Sequence, residues 1–210
     1  GFDTSFAAAY FPDVVIRDPF VGTNVRVPPS VAVLGAFSLN DAIAHPWFAP
    51  AGFSRGALTS VVEAQVKLNR SNLDALYEAD INPITSFPHT PGVVVFGQKT
   101  LQERPSALDR INVRRLVIYL KKQISILSTQ ILFEQNVQDT WDRFKGLIEP
   151  FLANVKTRFG ITDYRLILDL LYLIFELNNL YELIHLIYTK HLLCLALFQD
   201  QNQVFLYHLL

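Results

Sequence analysis

Methionine is missing from all 210 residues, and cysteine occurs once, at Cys194. The first absence, in a chain that opens on Gly1, leads us to expect a piece of a longer protein whose natural start lies upstream. The second excludes an internal disulfide and any cysteine-based zinc cluster, and Cys194, set in an apolar run, reads as core filler. Charge of one sign is missing too: 18 Lys and Arg face 19 Asp and Glu, a net charge of -1, so the basic footprint that nucleic-acid binding requires is not there. No secretory leader opens the chain, since GFDTSFAAAYFPD has no basic start and carries Asp3 where an apolar core would begin. An unbroken apolar span is also lacking. The Leu-rich stretch from Leu170 to Leu210 is interrupted by Glu176, Asn178, Asn179, Glu182, His185, Lys190 and His191 before it approaches the roughly 18 to 20 residues of a membrane helix, which argues against direct membrane insertion.

What is there suffices for a packed core, because half of the residues, 50%, are hydrophobic. Residues 1–60 are rich in Pro, Gly and aromatics and read as extended segments and tight turns, with one helix over about Ser30 to Ala42. From Leu58 the spacing of Leu58, Val61 or Val62, Ala64 and Val66 predicts a strand, and Asn69 then predicts an N-cap for a short helix presenting Leu73, Leu76 and Tyr77. Strands are expected at Ile84 to Phe87 and Val93 to Phe96, with Pro91-Gly92 as the turn between them. Two amphipathic helices follow, near 112–133 and 138–159. Pro150 should kink the second, and Gly160 should cap its end behind Lys156 and Arg158. After Gly160, ITDYRLILD resumes β-character. The expected class is α+β: a mixed β-sheet packed with amphipathic helices, and a terminal arm for strand exchange. The expected organisation is an extended segment over 1–60, a core α+β domain over 61–191 and a C-terminal strand or arm over 192–210.

Two motifs invite a catalytic reading. Gly52-Phe53-Ser54-Arg55-Gly56 spells G-x-S-x-G, which carries the nucleophile of α/β-hydrolases when a strand precedes it and a helix follows. Here Pro46-Trp47-Phe48-Ala49-Pro50 precedes and a β-like segment follows, so Ser54 reads as part of a Gly-flanked turn, although His185, His191 or His208 could complete a Ser, Asp, His order. Gly92 to Thr100 misses the phosphate-binding P-loop by one extra residue before Lys99, and Val93-Val94-Val95-Phe96 prefers an extended strand. The five histidines show no HExxH or other close ligand spacing beyond His185 and His191. No catalytic, cofactor or metal residue is assigned, and no enzyme is expected.

The segments HPWFAPAGFSRG, LYEADINPITSFPHTPGVVVFGQKTL, PSALDRINVRRLVIYLKKQI, LFEQN and GLIEPFL followed by GITDYR point elsewhere. Together they resemble the contractile tail sheath proteins of myovirus-type phages, whose relatives include the sheaths of contractile injection machines. The resemblance runs from about Asp3 to about Asp169, and residues 170–210 depart from it by their Leu enrichment. It implies a virion structural protein of the phage tail, assembled in the host cytoplasm, with the N-terminal region of the subunit lying outside this chain. It also implies hexameric rings stacked helically around an inner tube, and contraction that drives the tube through the host envelope. The implied partners are other copies of the subunit, the tail tube protein, and baseplate and tail terminator proteins. A bacteriocin or secretion-system sheath is the alternative, and a hydrolase using Ser54 the distant one. Two surfaces are then singled out. Asp142, Arg143, Lys145, Lys156 and Arg158, on the polar side of the second helix, are candidate tube contacts, against the reading of an ordinary solvated face. Leu192, Leu193, Leu195 and Leu197 are the candidate inter-subunit strand, expected to leave its own domain and pair with a neighbour.

Overall fold

Val14–Arg17 opens with three β-branched residues, and in the computed structural model it forms the middle strand, β2, of a three-stranded sheet. The structure describes residues 3–88, 90–135, 137–167, 194–198 and 203–208. Two units are distinguished, Gly1–Leu116 and Val117–Leu210.

In the first unit β1 (Ala9–Phe11) precedes β2, and Asp18 then turns the chain into β3 (Asn24–Val27). The Asp18 carboxylate accepts from the backbone N–H of Phe20 at 2.8 Å, and Gly22 supplies a left-handed residue at φ 74°. β3 pairs antiparallel with β2 from Val14↔Val27 to Arg17↔Asn24, and β4 (Val61–Ala64) takes the other side of β2, with a bulge between Val15 and Ile16. This sheet joins residues on both sides of position 60. A second sheet has the order β1-β5-β6, where β5 (Ile81–Phe87) runs parallel to β1 and β6 (Thr90–Val95) antiparallel to β5. Pro91-Gly92 falls inside β6 rather than in the turn predicted there. The register between β5 and β6 shifts between Thr85 and Phe87, and Gly92 at φ 91° is the kind of residue that such an irregular strand end accepts.

Three helices belong to the same unit. α1 (Pro29–Ile43) begins on a proline, whose missing N–H costs nothing in a first turn, and buries Ala32, Val33, Ala36 and Asn40. α2 (Gly52–Arg55) is a single turn. α3 (Arg70–Glu78) is capped by Asn69, whose side chain accepts from the N–H of Asn72 at 2.8 Å, as the sequence predicts. Val14, Val33, Leu58, Ile84, Val93 and Val95 make up much of the buried core, with Tyr10 and Phe37 packed against it.

α4 (Ile111–Ser128) starts in the first unit and continues into the second, ending in a 3-10 turn at Thr129–Ile131. α5 (Gln138–Thr157) buries Trp141, Phe144, Ile148, Leu152 and Val155, the predicted three-and-four spacing, with Pro150 inside the helix. Its end differs from the expectation. The N–H of Gly160 donates to the Val155 carbonyl at 2.9 Å and that of Phe159 to the Lys156 carbonyl at 3.0 Å, which is the Schellman pairing. The left-handed position in that pairing is one residue earlier than Gly160, and Phe159 occupies it at φ 60°. The last sheet has the order β7-β9-β8, with β9 (Gln203–His208) parallel to β7 (Asp163–Ile167) and antiparallel to β8 (Cys194–Phe198). Helices and mixed sheets together make the fold α+β.

Candidate assembly surfaces

The catalytic motifs dissolve into structure. Gly56 backs onto Ala51 so closely that a Cβ would lie 2.6 Å from the Ala51 Cα, and its N–H donates to the Gly52 carbonyl at 2.9 Å. Those two glycines therefore close a one-turn helix, and Ser54 stands on its exposed side with no strand ahead of it. Arg55 turns back, donating from Nε to the Ala49 carbonyl at 3.1 Å with its guanidinium 5.1 Å from the Phe48 ring. Phe53 goes the other way, onto Phe87 and Phe96, and the three rings lie in edge and tilted contacts with centroids 4.8 to 6.5 Å apart. Lys99, the lysine of the near-miss P-loop, forms an ion pair with Asp80 at 2.8 Å and donates to the Tyr77 carbonyl at 2.6 Å. Its ammonium also sits 3.7 Å from the centroid of the Tyr77 ring. Gly97 is explained by crowding, because a Cβ there would come within 2.7 Å of Asn82 Oδ1. Among the described residues no three of His, Cys, Asp and Glu gather as metal ligands, and no helix is long and apolar enough to cross a membrane. His185 and His191 lie outside the described residues, and His208 ends β9.

The charged side chains singled out on α5 and at its C-cap are all exposed. Asp142 accepts from Gln138 at 3.1 Å, Arg143 pairs with Glu134 at 3.2 Å, Lys145 with Glu149 at 3.6 Å, and Lys156 with Asp163 at 3.0 Å. Arg158 caps the C-terminus of the helix. Three of the cations are thus partly neutralised by their own neighbours, and pairs this exposed contribute little to stability. The Lys156 pair leaves an electrostatic trace. Its hydrogen bond, then the N–H of Tyr164, then its charge hold the Asp163 carboxyl below its usual range.

Leu195 and Leu197 lie in β8, hydrogen-bonded to β9 of the same chain, with Leu195 opposite Tyr207 and Leu197 opposite Phe205. Within the single chain the second strand, Gln203–His208, gives this segment an antiparallel partner after the polar break at 199–202. Leu192 and Leu193 lie outside the described residues. Sequence reasoning missed two large exposed aromatics, Phe133 (98% exposed, φ 69°) and Phe159 (86% exposed, φ 60°). The only available signal was a glycine one place too late, at Gly160.

No family model matches this chain. It is 40% identical over 162 residues to the tail sheath protein of Vibrio phage KVP40, and 34% identical over 152 residues to that of Enterobacteria phage T4. These alignments cover 77% and 72% of this chain. This chain belongs to the contractile tail sheath family. It spans 23% of the length of each of those two sheath proteins. Sheath structures share its fold as well. The PVC sheath complex of an extracellular contractile injection system, in its contracted state, matches with a TM-score of 0.68 at 28% identity, over 76% of this chain and 43% of the other. The contracted helical sheath of the anti-feeding prophage matches with a TM-score of 0.64 at 27% identity, over 73% and 41%. Ser54, on a one-turn helix with no strand ahead of it, lacks the strand-turn-helix setting that a hydrolase nucleophile needs.

Proposed function

We propose that this chain is the assembly-forming part of a contractile tail sheath subunit, one that stacks in hexameric rings around an inner tail tube and contracts to drive that tube through the host envelope. The observation that carries the reading is the 40% identity to a phage tail sheath protein over most of this chain, joined to the fold of contracted sheaths. Energy is stored as the difference between two lattice packings of one subunit, and small gains per subunit sum because every ring changes. Electron micrographs of the protein expressed at full length test this. Striated hollow tubes are the expected result, and a protein that stays monomeric under assembly conditions overturns it. The sheath of an injection machine is a second reading, favoured by the two injection-system structures.

Two surfaces serve this function. The polar side of α5, with Asp142, Arg143, Lys145, Lys156 and Arg158, faces the tube protein. Reversing the charge of Lys145 and Lys156 together should weaken polymerisation on tubes, and unchanged polymerisation removes the assignment. The second surface is the segment over 192–210, exchanged with a neighbouring subunit. Every copy offers the same parallel position beside Asp163–Ile167, and main-chain hydrogen bonds to it survive while subunits pivot. Deleting residues 192–210 should abolish tubes, and tubes built by the truncated protein rule the exchange out. Baseplate and tail terminator proteins complete the set of partners.

A further inference from the structure

Phe133 and Phe159 share two features that a folded chain does not combine for its own benefit. Each holds a bulky side chain at positive φ, 69° and 60°, where Cβ crowds the backbone and glycine or asparagine is the usual occupant. Each also leaves its ring in solvent, 98% and 86% exposed, so no packing offsets the crowding. Backbone strain without a local return marks positions whose use lies outside the chain. Their placement is regular as well. Phe133 follows the 3-10 turn ahead of α5, within the LFEQN segment that carries the family resemblance, and Phe159 follows the C-cap of α5. The helix between them, twenty residues at 1.5 Å each, is about 30 Å long.

We infer that Phe133 and Phe159 are anchors by which α5 is gripped by other copies of this chain. A second copy is the occupant because the solved structures that share this fold include a sheath complex and a helical sheath, arrays in which subunits cover one another's surfaces. The chain carries receiving chemistry as well. Phe53, Phe87 and Phe96 form a three-ring cluster in which Phe53 is 50% and Phe96 46% exposed, open to a further ring in edge-to-face contact.

The inference rests on the sheath reading, and one experiment separates the two. In the full-length protein, F133G and F159G relieve the strain at their own sites, and each should raise, not lower, the melting temperature of the unassembled subunit. Each should also cut the polymerised fraction, read by sedimentation and electron microscopy, by about tenfold. F133Y and F159Y, which keep an aromatic ring, should assemble as the parent does, and F53A should lose assembly without losing stability. Assembly of F133G and F159G at the parent level overturns the anchors. A lower melting temperature also overturns them, because the ring would then be covered within its own chain. A parent protein that forms no tubes refutes the sheath reading instead.

Discussion

Asn82 is the most informative single position to perturb. It lies in β5 with 1% of its surface exposed and ties three stretches of backbone together. Its Nδ2 donates to the Ala9 carbonyl at 3.0 Å and to the Lys99 carbonyl at 2.8 Å, and its Oδ1 accepts from the N–H of Lys99 at 2.6 Å. Asn82→Ala removes all three bonds and leaves three backbone groups to find new partners. At about 1 kcal/mol for each net hydrogen bond, the loss is about 3 kcal/mol. For a chain of this size that corresponds to a fall in melting temperature of about 6 to 12 °C. Urea unfolding followed by Trp47 and Trp141 fluorescence gives the same quantity independently. Gly97 sharpens the test, since an added Cβ would meet Asn82 Oδ1 at 2.7 Å and the Asn82 Cα and Cβ at 3.1 Å. Gly97→Ala should therefore cost less in the Asn82→Ala background, where the nearest of these contacts is gone, than in the parent. A loss under about 1 kcal/mol for Asn82→Ala, or strictly additive costs in the pair, would refute the pinning role.

Three further outcomes are expected. Ser54→Ala, on the exposed side of a one-turn helix, should change stability by less than about 0.5 kcal/mol and leave tube formation intact. An active-site serine probe that labels the parent and not the mutant would contradict that. Phe144→Ala empties a site only 2% exposed on α5 and should cost about 3 to 5 kcal/mol, read by thermal unfolding, and a cost near zero would mean that α5 is not held by this stripe. The Asp163 carboxyl is depressed in the folded state, so what it contributes is present above the ordinary carboxylate value of about 4 and is lost as the pH falls through its lower folded value. Asp163→Asn should flatten the acid side of a stability-against-pH curve, and an unchanged curve would show that the Lys156 pair carries nothing.

Legibility in the sequence followed the range of the interactions involved. The α5 stripe, the Asn69 cap and the strand at 163–167 all depend on residues within a few positions of one another, and spacing exposes such patterns. The P-loop fails on its internal spacing and the hydrolase motif on its flanks, which are equally local. The pairing of β1 with β5, the Asn82 pin and the three-ring cluster depend on residues tens of positions apart, and no periodicity encodes them. Pro91-Gly92 misled because turn residues also mark irregular strand ends. Phe159 was missed because a capping glycine stood next to the position that needed it. The charged residues of α5 were visible as a face, whereas their neutralising partners Glu134 and Asp163 come from outside the helix.

The stitching of the first unit has a consequence for how the subunit comes into being. Asp3 accepts from the N–H of Glu103, Thr4 bridges Leu101, and Ala9 pairs with Ile81. The hairpin of Val14–Arg17 and Asn24–Val27 can form as soon as it is made, yet the strand just ahead of it must wait for partners some 70 to 100 residues later. Closing loops of that length before any contact rewards them slows the search, so this unit should mature in milliseconds to seconds, late relative to the local helix α5. Until then Tyr10 and Phe11 lie beside an open strand edge, the kind of surface that captures stray β-segments. A cell producing many copies at once thus gains from any delay between synthesis and meeting, and dilution or a chaperone at that step should raise the yield of subunits able to polymerise.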